Sequence, residues 1–172
     1  MAKQKFRSQK GFTLVEMLCT IIVLLLVSAL MVTGIRLAAK TLRKSVMDSE
    51  SYMLCTTLRT LVSDELRYCG TIDTTDADTG VKFFSQNYGE NCYFSVNDDG
   101  HVVLVDSDGE SNKILTSNSY PYGMMATVAI NKYDSTTRIF NVTVTVTDSD
   151  GGELSSSTFD AKQLNEPAAT AG

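Results

Sequence analysis

From Phe12 to Val32 the sequence FTLVEMLCTIIVLLLVSALMV runs for 21 residues with a single charged side chain. As an α-helix rising 1.5 Å per residue it would be about 31 Å long, the thickness of a bilayer's hydrocarbon core. A secretory signal would need an apolar stretch of only about 7–15 residues before a small-residue cut site, and Val27-Ser28-Ala29 offers one. The greater length favours a retained membrane helix. So does the polar junction Ser8-Gln9-Lys10-Gly11, which separates the run from the cations ahead of it.

The one charge in the run is Glu16. An ionised carboxylate in an apolar helix costs about 2.5–3.5 kcal/mol at mid-bilayer and less toward the end, so it calls for a partner or a proton. No Lys or Arg lies one turn away inside the run. A cut just before Phe12 would create an amino terminus, on this chain or a neighbour, that could serve. Solvation or protonation at headgroup depth would serve equally, and the residues alone leave both open.

The segment Lys10-Gly11-Phe12-Thr13-Leu14-Val15-Glu16-Met17-Leu18 resembles the prepilin cleavage and methylation motif of type IV pilins and pseudopilins. The resemblance rests on glycine, phenylalanine, the glutamate four residues on and the apolar run coinciding, and it covers the first third of the chain. It implies that a prepilin peptidase cuts after Gly11 and methylates the new terminus at Phe12. It also implies that Glu16 pairs with a neighbour's terminal amine, setting register as subunits assemble. Met1–Gly11 is then a basic leader. The implied partners are the peptidase, other pilin or pseudopilin subunits, the pilus assembly platform and membrane lipid. The implied location is a single pass of the cytoplasmic membrane with the C-terminal domain outside, and then a surface or periplasmic filament for adhesion, motility, competence or secretion. Charge does not fix this orientation, because Arg36, Lys40, Arg43 and Lys44 balance the four leader cations Lys3, Lys5, Arg7 and Lys10. Many major pilins have a proline well along the apolar stretch; Leu30–Gly34 here has none, and no cysteine pair lies near the C-terminus. Both departures lean toward a minor subunit or pseudopilin. A secreted or membrane-tethered binding domain is the competing reading, and it would be cut after Ala29 or not at all.

Beyond the run, apolar residues recur at Val46, Met53, Leu54, Leu58, Leu61, Val62 and Leu66, close to helical spacing. With no proline from Phe12 to Arg67, one helix of about 55 residues can continue out of the membrane. Its halves are 12–39, in the membrane or filament core, and 40–68, amphipathic. Gly70 and the polar stretch after it mark its end. The residues 69–162 read as a β-rich globular domain. Strands are predicted at Val81–Phe84, Cys92–Val96, Val102–Asp106, Lys113–Thr116, Met125–Lys132, Arg138–Thr147 and Leu154–Asp160, from β-branched and aromatic runs between Asp-, Asn- and Gly-rich turns. Strict alternation from Phe140 to Thr147 puts valines on one face for the helix to cover. The fold class is therefore α+β, a long helix packed on an antiparallel sheet, with a meander as the simplest topology; this is also the fold the resemblance implies. Residues 163–172, small and polar with Pro167, read as a flexible tail.

The 172 residues, 43% hydrophobic, suit one modest domain with an appendage. The net charge of −5 becomes about −9 without the four leader cations, and such a surface repels a phosphate backbone, so no direct nucleic-acid contact is expected. Cys19, Cys55, Cys69 and Cys92 contain no C-x-x-C pair, and the lone histidine, His101, adds little toward zinc. Cys55 and Cys69 would be about 21 Å apart on one helix, beyond disulfide reach, and Cys69 with Cys92 is the better pair, against a reading of all four as small buried or free thiols. Asp106 with Asp108, and Asp148 with Asp150, alternate as calcium ligands can, but neither loop completes an EF-hand and both lie where Asp and Gly make turns. No phosphate-binding loop follows a strand, and His101 sits in no recognisable Ser or Cys motif. No cofactor is called for and no catalytic residue is assigned; the expectation is a structural protein and not an enzyme.

Overall fold

The computed structural model describes residues 13–74 and 80–165. Helix α1 spans Leu14–Tyr68 without a break, passing through Gly34. The chain divides into two compact units, Met1–Lys44 and Ser45–Gly172.

In the first unit every described residue is exposed, including Leu14, Ile21, Leu25, Leu30 and Ile35. This segment lies in a helix long and apolar enough to cross a membrane. Its few hydroxyl groups turn back on their own helix. Thr20 Oγ1 donates to the Glu16 carbonyl at 2.6 Å, Ser28 Oγ to Leu24 at 2.8 Å and Thr33 Oγ1 to Leu30 at 2.9 Å. Each polar group so satisfied removes the penalty that lipid would otherwise impose on it.

The second unit is α+β. Strands β1 (Ile72–Asp73), β2 (Lys82–Ser85), β3 (Gly89–Val96), β4 (Val102–Val105) and β5 (Ser111–Lys113) form one antiparallel meander. Strands β6 (Met125–Asp134), β7 (Ile139–Thr147) and β8 (Glu153–Lys162) form a second. The single meander expected from the sequence is thus two. The break falls after β5, where two 3-10 turns, Ser117–Ser119 and Pro121–Gly123, redirect the chain. The two sheets meet where the Ala126 amide donates to the Gly100 carbonyl at 2.9 Å.

Leu54, Cys55, Leu58, Val62 and Leu66, one face of α1 by their spacing of three and four, are buried in one core with Phe140, Val142, Val144 and Val146. The alternating run of β7 buries its valines and leaves its threonines half-exposed. Those threonines are tied sideways, Thr143 to Thr158 at 2.9 Å and Thr145 to Ser156 at 3.3 Å. The stripe on the helix is wider than the sheets cover, for Val46, Met53 and Leu61 remain exposed.

Several boundaries differ from the sequence reading: β1 has no predicted counterpart, β3 starts three residues before Cys92, and β6 and β8 each run two residues past their predicted ends. β5 starts two residues earlier than predicted, while Ile114 and Leu115 pack against the core from beyond its end. Gln163, placed in the tail by composition, is buried at 2% exposure, and its side-chain amide donates to the carbonyls of Cys69 at 3.1 Å and Gly70 at 2.6 Å. The Leu164 amide donates to Arg67 O and Asn165 Nδ2 to Tyr68 O. Leu164 and Asn165 therefore supply donors to the end of α1, whose last carbonyls have no partner within the helix, and Gln163 to the two residues after it; the remainder of the expected tail lies outside the described residues.

Candidate functional site

The N-terminal turn of α1 carries the candidate site. Gly11 and Phe12, the expected cleavage position and methylated terminus, lie outside the described residues. Thr13 precedes the helix, and its carbonyl accepts from the amides of Glu16 and Met17 at 3.0 and 3.2 Å. Its hydroxyl accepts from the Glu16 N–H at 3.3 Å. In return, Glu16 Oε2 lies 3.5 Å from both the Thr13 amide nitrogen and its hydroxyl oxygen. This is a reciprocal capping box, in which residues one turn apart satisfy each other's orphan groups. The carboxylate contacts are long, so Glu16 is oriented by its own helix yet loosely held, with the N-terminal end of the helix dipole favouring its charge. Thr13 was not singled out from the sequence. The signal was present as Thr-x-x-Glu directly ahead of an apolar run.

The other candidates lie elsewhere, in the second unit. Cys69 and Cys92 belong to the same buried core, and both are free thiols. The Cys69 Sγ donates to Leu66 O at 3.1 Å and the Cys92 Sγ to Gly89 O at 3.4 Å. The bridge considered between them is not formed in the structure. Gly70 bonds to Phe84 on one edge of β2 while Cys92 is in register with Phe83 across the other. Two strand spacings put the backbones about 9–10 Å apart, beyond the usual reach of a disulfide. Burial first, and the nearby Glu65 charge second, push the Cys69 thiol up to about 12.

In the turns, Asp106 Oδ1 accepts the amides of Asp108 and Glu110 at 3.0 and 2.9 Å. Asp148 Oδ1 accepts those of Asp150 and Gly152 at 3.0 and 2.6 Å. Both aspartates thus serve their own loops, and among the described residues no three His, Cys, Asp or Glu side chains gather to hold a metal ion. His101 stacks on Tyr120 with centroids 4.0 Å apart, and its Nδ1 is buried with no hydrogen-bond partner among the described residues.

Residues 6–32 match the prokaryotic N-terminal methylation motif. The chain carries a prepilin signature. The signature encloses Gly11, Phe12, Thr13 and Glu16 together with the whole apolar run, and so joins the capped turn to the membrane-length helix behind it. It is the signature of type IV pilin and pseudopilin precursors. The match covers 27 of 172 residues, so the second unit is characterised by its own structure. Neither the curated proteins nor the solved structures gave a match.

Proposed function

We propose that this protein is a structural subunit of a type IV pilus, competence pilus or secretion-type pseudopilus. Prepilin peptidase cuts it between Gly11 and Phe12 and methylates Phe12. The apolar half of α1 holds the mature chain in the cytoplasmic membrane with the second unit outside, until the assembly platform draws it into a filament among other subunits. The observation that carries this reading is the prepilin signature lying on a helix whose large apolar side chains are exposed from Leu14 to Leu37. Such a surface needs lipid or other helices of its own kind around it. In a filament the loosely capped Glu16 exchanges its long contacts to Thr13 for the terminal amine of a neighbouring Phe12. A charge pair of this kind is better suited to specifying register than to adding stability.

Mass spectrometry of the mature amino terminus, from host membranes and sheared filaments, tests the proposal. N-methylated Phe12 is expected. A chain starting at Leu30, or an intact Met1 in cells with active prepilin peptidase, would return the protein to the class of exported or tethered domains.

A further inference from the structure

Charge is segregated along this chain. Arg36, Lys40, Arg43 and Lys44 follow the apolar run at steps of four, three and one. In α1 those steps place all four within about 100° of the helix circumference, a single basic stripe. All four are exposed, and none makes a side-chain hydrogen bond or ion pair among the described residues. Asp48 is the one carboxylate within a turn of them in sequence. Residues 45–172, by contrast, hold 19 carboxylates against seven Lys and Arg, a formal charge of −12. Identical units of that charge repel when brought side by side unless positive charge lies between them.

We propose that the stripe Arg36, Lys40, Arg43 and Lys44 is a docking surface for the acidic second unit of another copy of this chain. The inference rests on the assembly reading above. A basic patch on one unit and an acidic surface on the other let copies join head to tail, and such heterologous contacts build open filaments when the rotation between copies does not close a ring. Lipid phosphate accounts for less of the stripe. From Arg36 to Lys44 it covers about 12 Å of helix axis, against a headgroup layer of about 5–7 Å per leaflet. On the partner copy, exposed acids of two loops can meet it: Asp108 and Glu110 between β4 and β5, and Asp150 and Glu153 at the turn into β8. All four are exposed and make no side-chain hydrogen bond among the described residues.

The test uses the full chain expressed in its host. R43E/K44E reverses the far end of the stripe, D108K/E110K/D150K/E153K reverses the acids, and a third chain carries both sets. Membrane level, the mature terminus and protein in the sheared-filament fraction are measured for each. Each single set is expected to lower filament protein at least about tenfold with membrane level and Phe12 start unchanged, and the combined chain to recover most of it. Wild-type filaments should also weaken with salt, as exposed charge contacts are screened beyond about 8 Å at physiological ionic strength. Wild-type yield from R43E/K44E would overturn the proposal. So would a loss that the combined chain does not recover and that tracks weaker binding of R43E/K44E to phosphatidylglycerol vesicles, which assigns the stripe to lipid. A wild-type chain that does not begin at Phe12 would instead remove the assembly reading, and this inference with it.

Discussion

Thr13 and Glu16 cap each other at the first turn of α1, the hydroxyl accepting the Glu16 amide at 3.3 Å while the carboxylate lies 3.5 Å from the Thr13 nitrogen. Glu16 therefore has work within its own chain before any neighbour arrives. Its capping role and its charge are chemically separable, because glutamine fills the same place in a capping box without carrying charge.

Glu16→Gln should therefore leave the helix start intact and remove only the partner for a terminal amine. The expected outcome is normal membrane insertion with filament protein reduced by about an order of magnitude. Thr13→Val should weaken the first turn by about 0.5–2 kcal/mol, as loss of a cap does, with a smaller effect on filaments. Quantifying sheared filaments checks both. Filaments from Glu16→Gln at the wild-type level would show that charge does not set the register. Neither variant should shift the melting of the second unit.

The long helix and most strands were legible because each carries a local signal. The apolar run is uninterrupted, and the Val/Thr alternation of β7 can be satisfied by only one face of a sheet. What was not legible depends on groups distant in sequence. The joint between the two sheets turns on Ala126 meeting Gly100, and Gln163 is buried because it reaches the carbonyls of Cys69 and Gly70 more than ninety residues earlier. Short polar segments such as 163–165 look alike whether they cap a helix or trail into solvent. Thr13 was missed for a different reason. Its signal was local, but Glu16 drew attention as a membrane charge and not as the fourth residue of a cap.

Gly100 holds the joint between the sheets. Its φ of +77° is a region glycine enters freely, and a Cβ there would clash with Met125 Cγ while its carbonyl anchors Ala126. Gly100→Ala combines backbone strain with overpacking and should destabilise the second unit by about 2–4 kcal/mol. Gly109 provides the control, with φ +80° and nothing within 4 Å of its would-be Cβ. Gly109→Ala should cost about 1 kcal/mol, from strain alone. Denaturant titration of detergent-solubilised protein, followed by circular dichroism, measures the difference; equal effects would mean that Met125 moves aside easily.

The buried thiols and phenols predict sensitivity to alkali. Burial raises Cys55, Cys69, Cys92, Tyr120 and Tyr133, with Cys69 reaching about 12. These groups charge on losing a proton, so a raised folded pKa contributes stability that is whole below the unfolded value and is lost as pH rises through the folded one. For Cys69 that window runs from about 9 to about 12. The second unit should therefore hold constant stability from neutral pH to about 9 and lose it steadily above. Cys69→Ala should flatten part of that fall. In the native protein at pH 8, Cys69 and Cys92 should resist iodoacetamide and react after denaturation, each adding one label without prior reduction. A mass two hydrogens lighter, with labelling only after reduction, would show instead that the two form a disulfide.

Gln163, just after β8, secures the two residues that follow α1. Its amide nitrogen donates to two carbonyls, its oxygen accepts from Tyr133 Oη at 3.2 Å, and its backbone amide donates to Arg138 O at 2.9 Å. Gln163→Leu keeps the bulk but leaves one buried and one part-buried carbonyl and a part-buried hydroxyl without this partner, and at about 1–3 kcal/mol per unsatisfied buried group, less where water can reach, the expected loss is about 2–4 kcal/mol. Gln163→Glu should be worse near neutral pH. A carboxylate can still accept from Tyr133, but it has nothing to donate to Cys69 O and Gly70 O and faces both as a like partial charge. Asn165→Ala, on an exposed contact to Tyr68 O, should cost less than about 1 kcal/mol. Urea midpoints give the order directly, read from tyrosine fluorescence, since the chain has no tryptophan. If Gln163→Leu matched wild type, water would have to reach those carbonyls, and residues 163–165 would be a passenger on the fold and not its closing clasp.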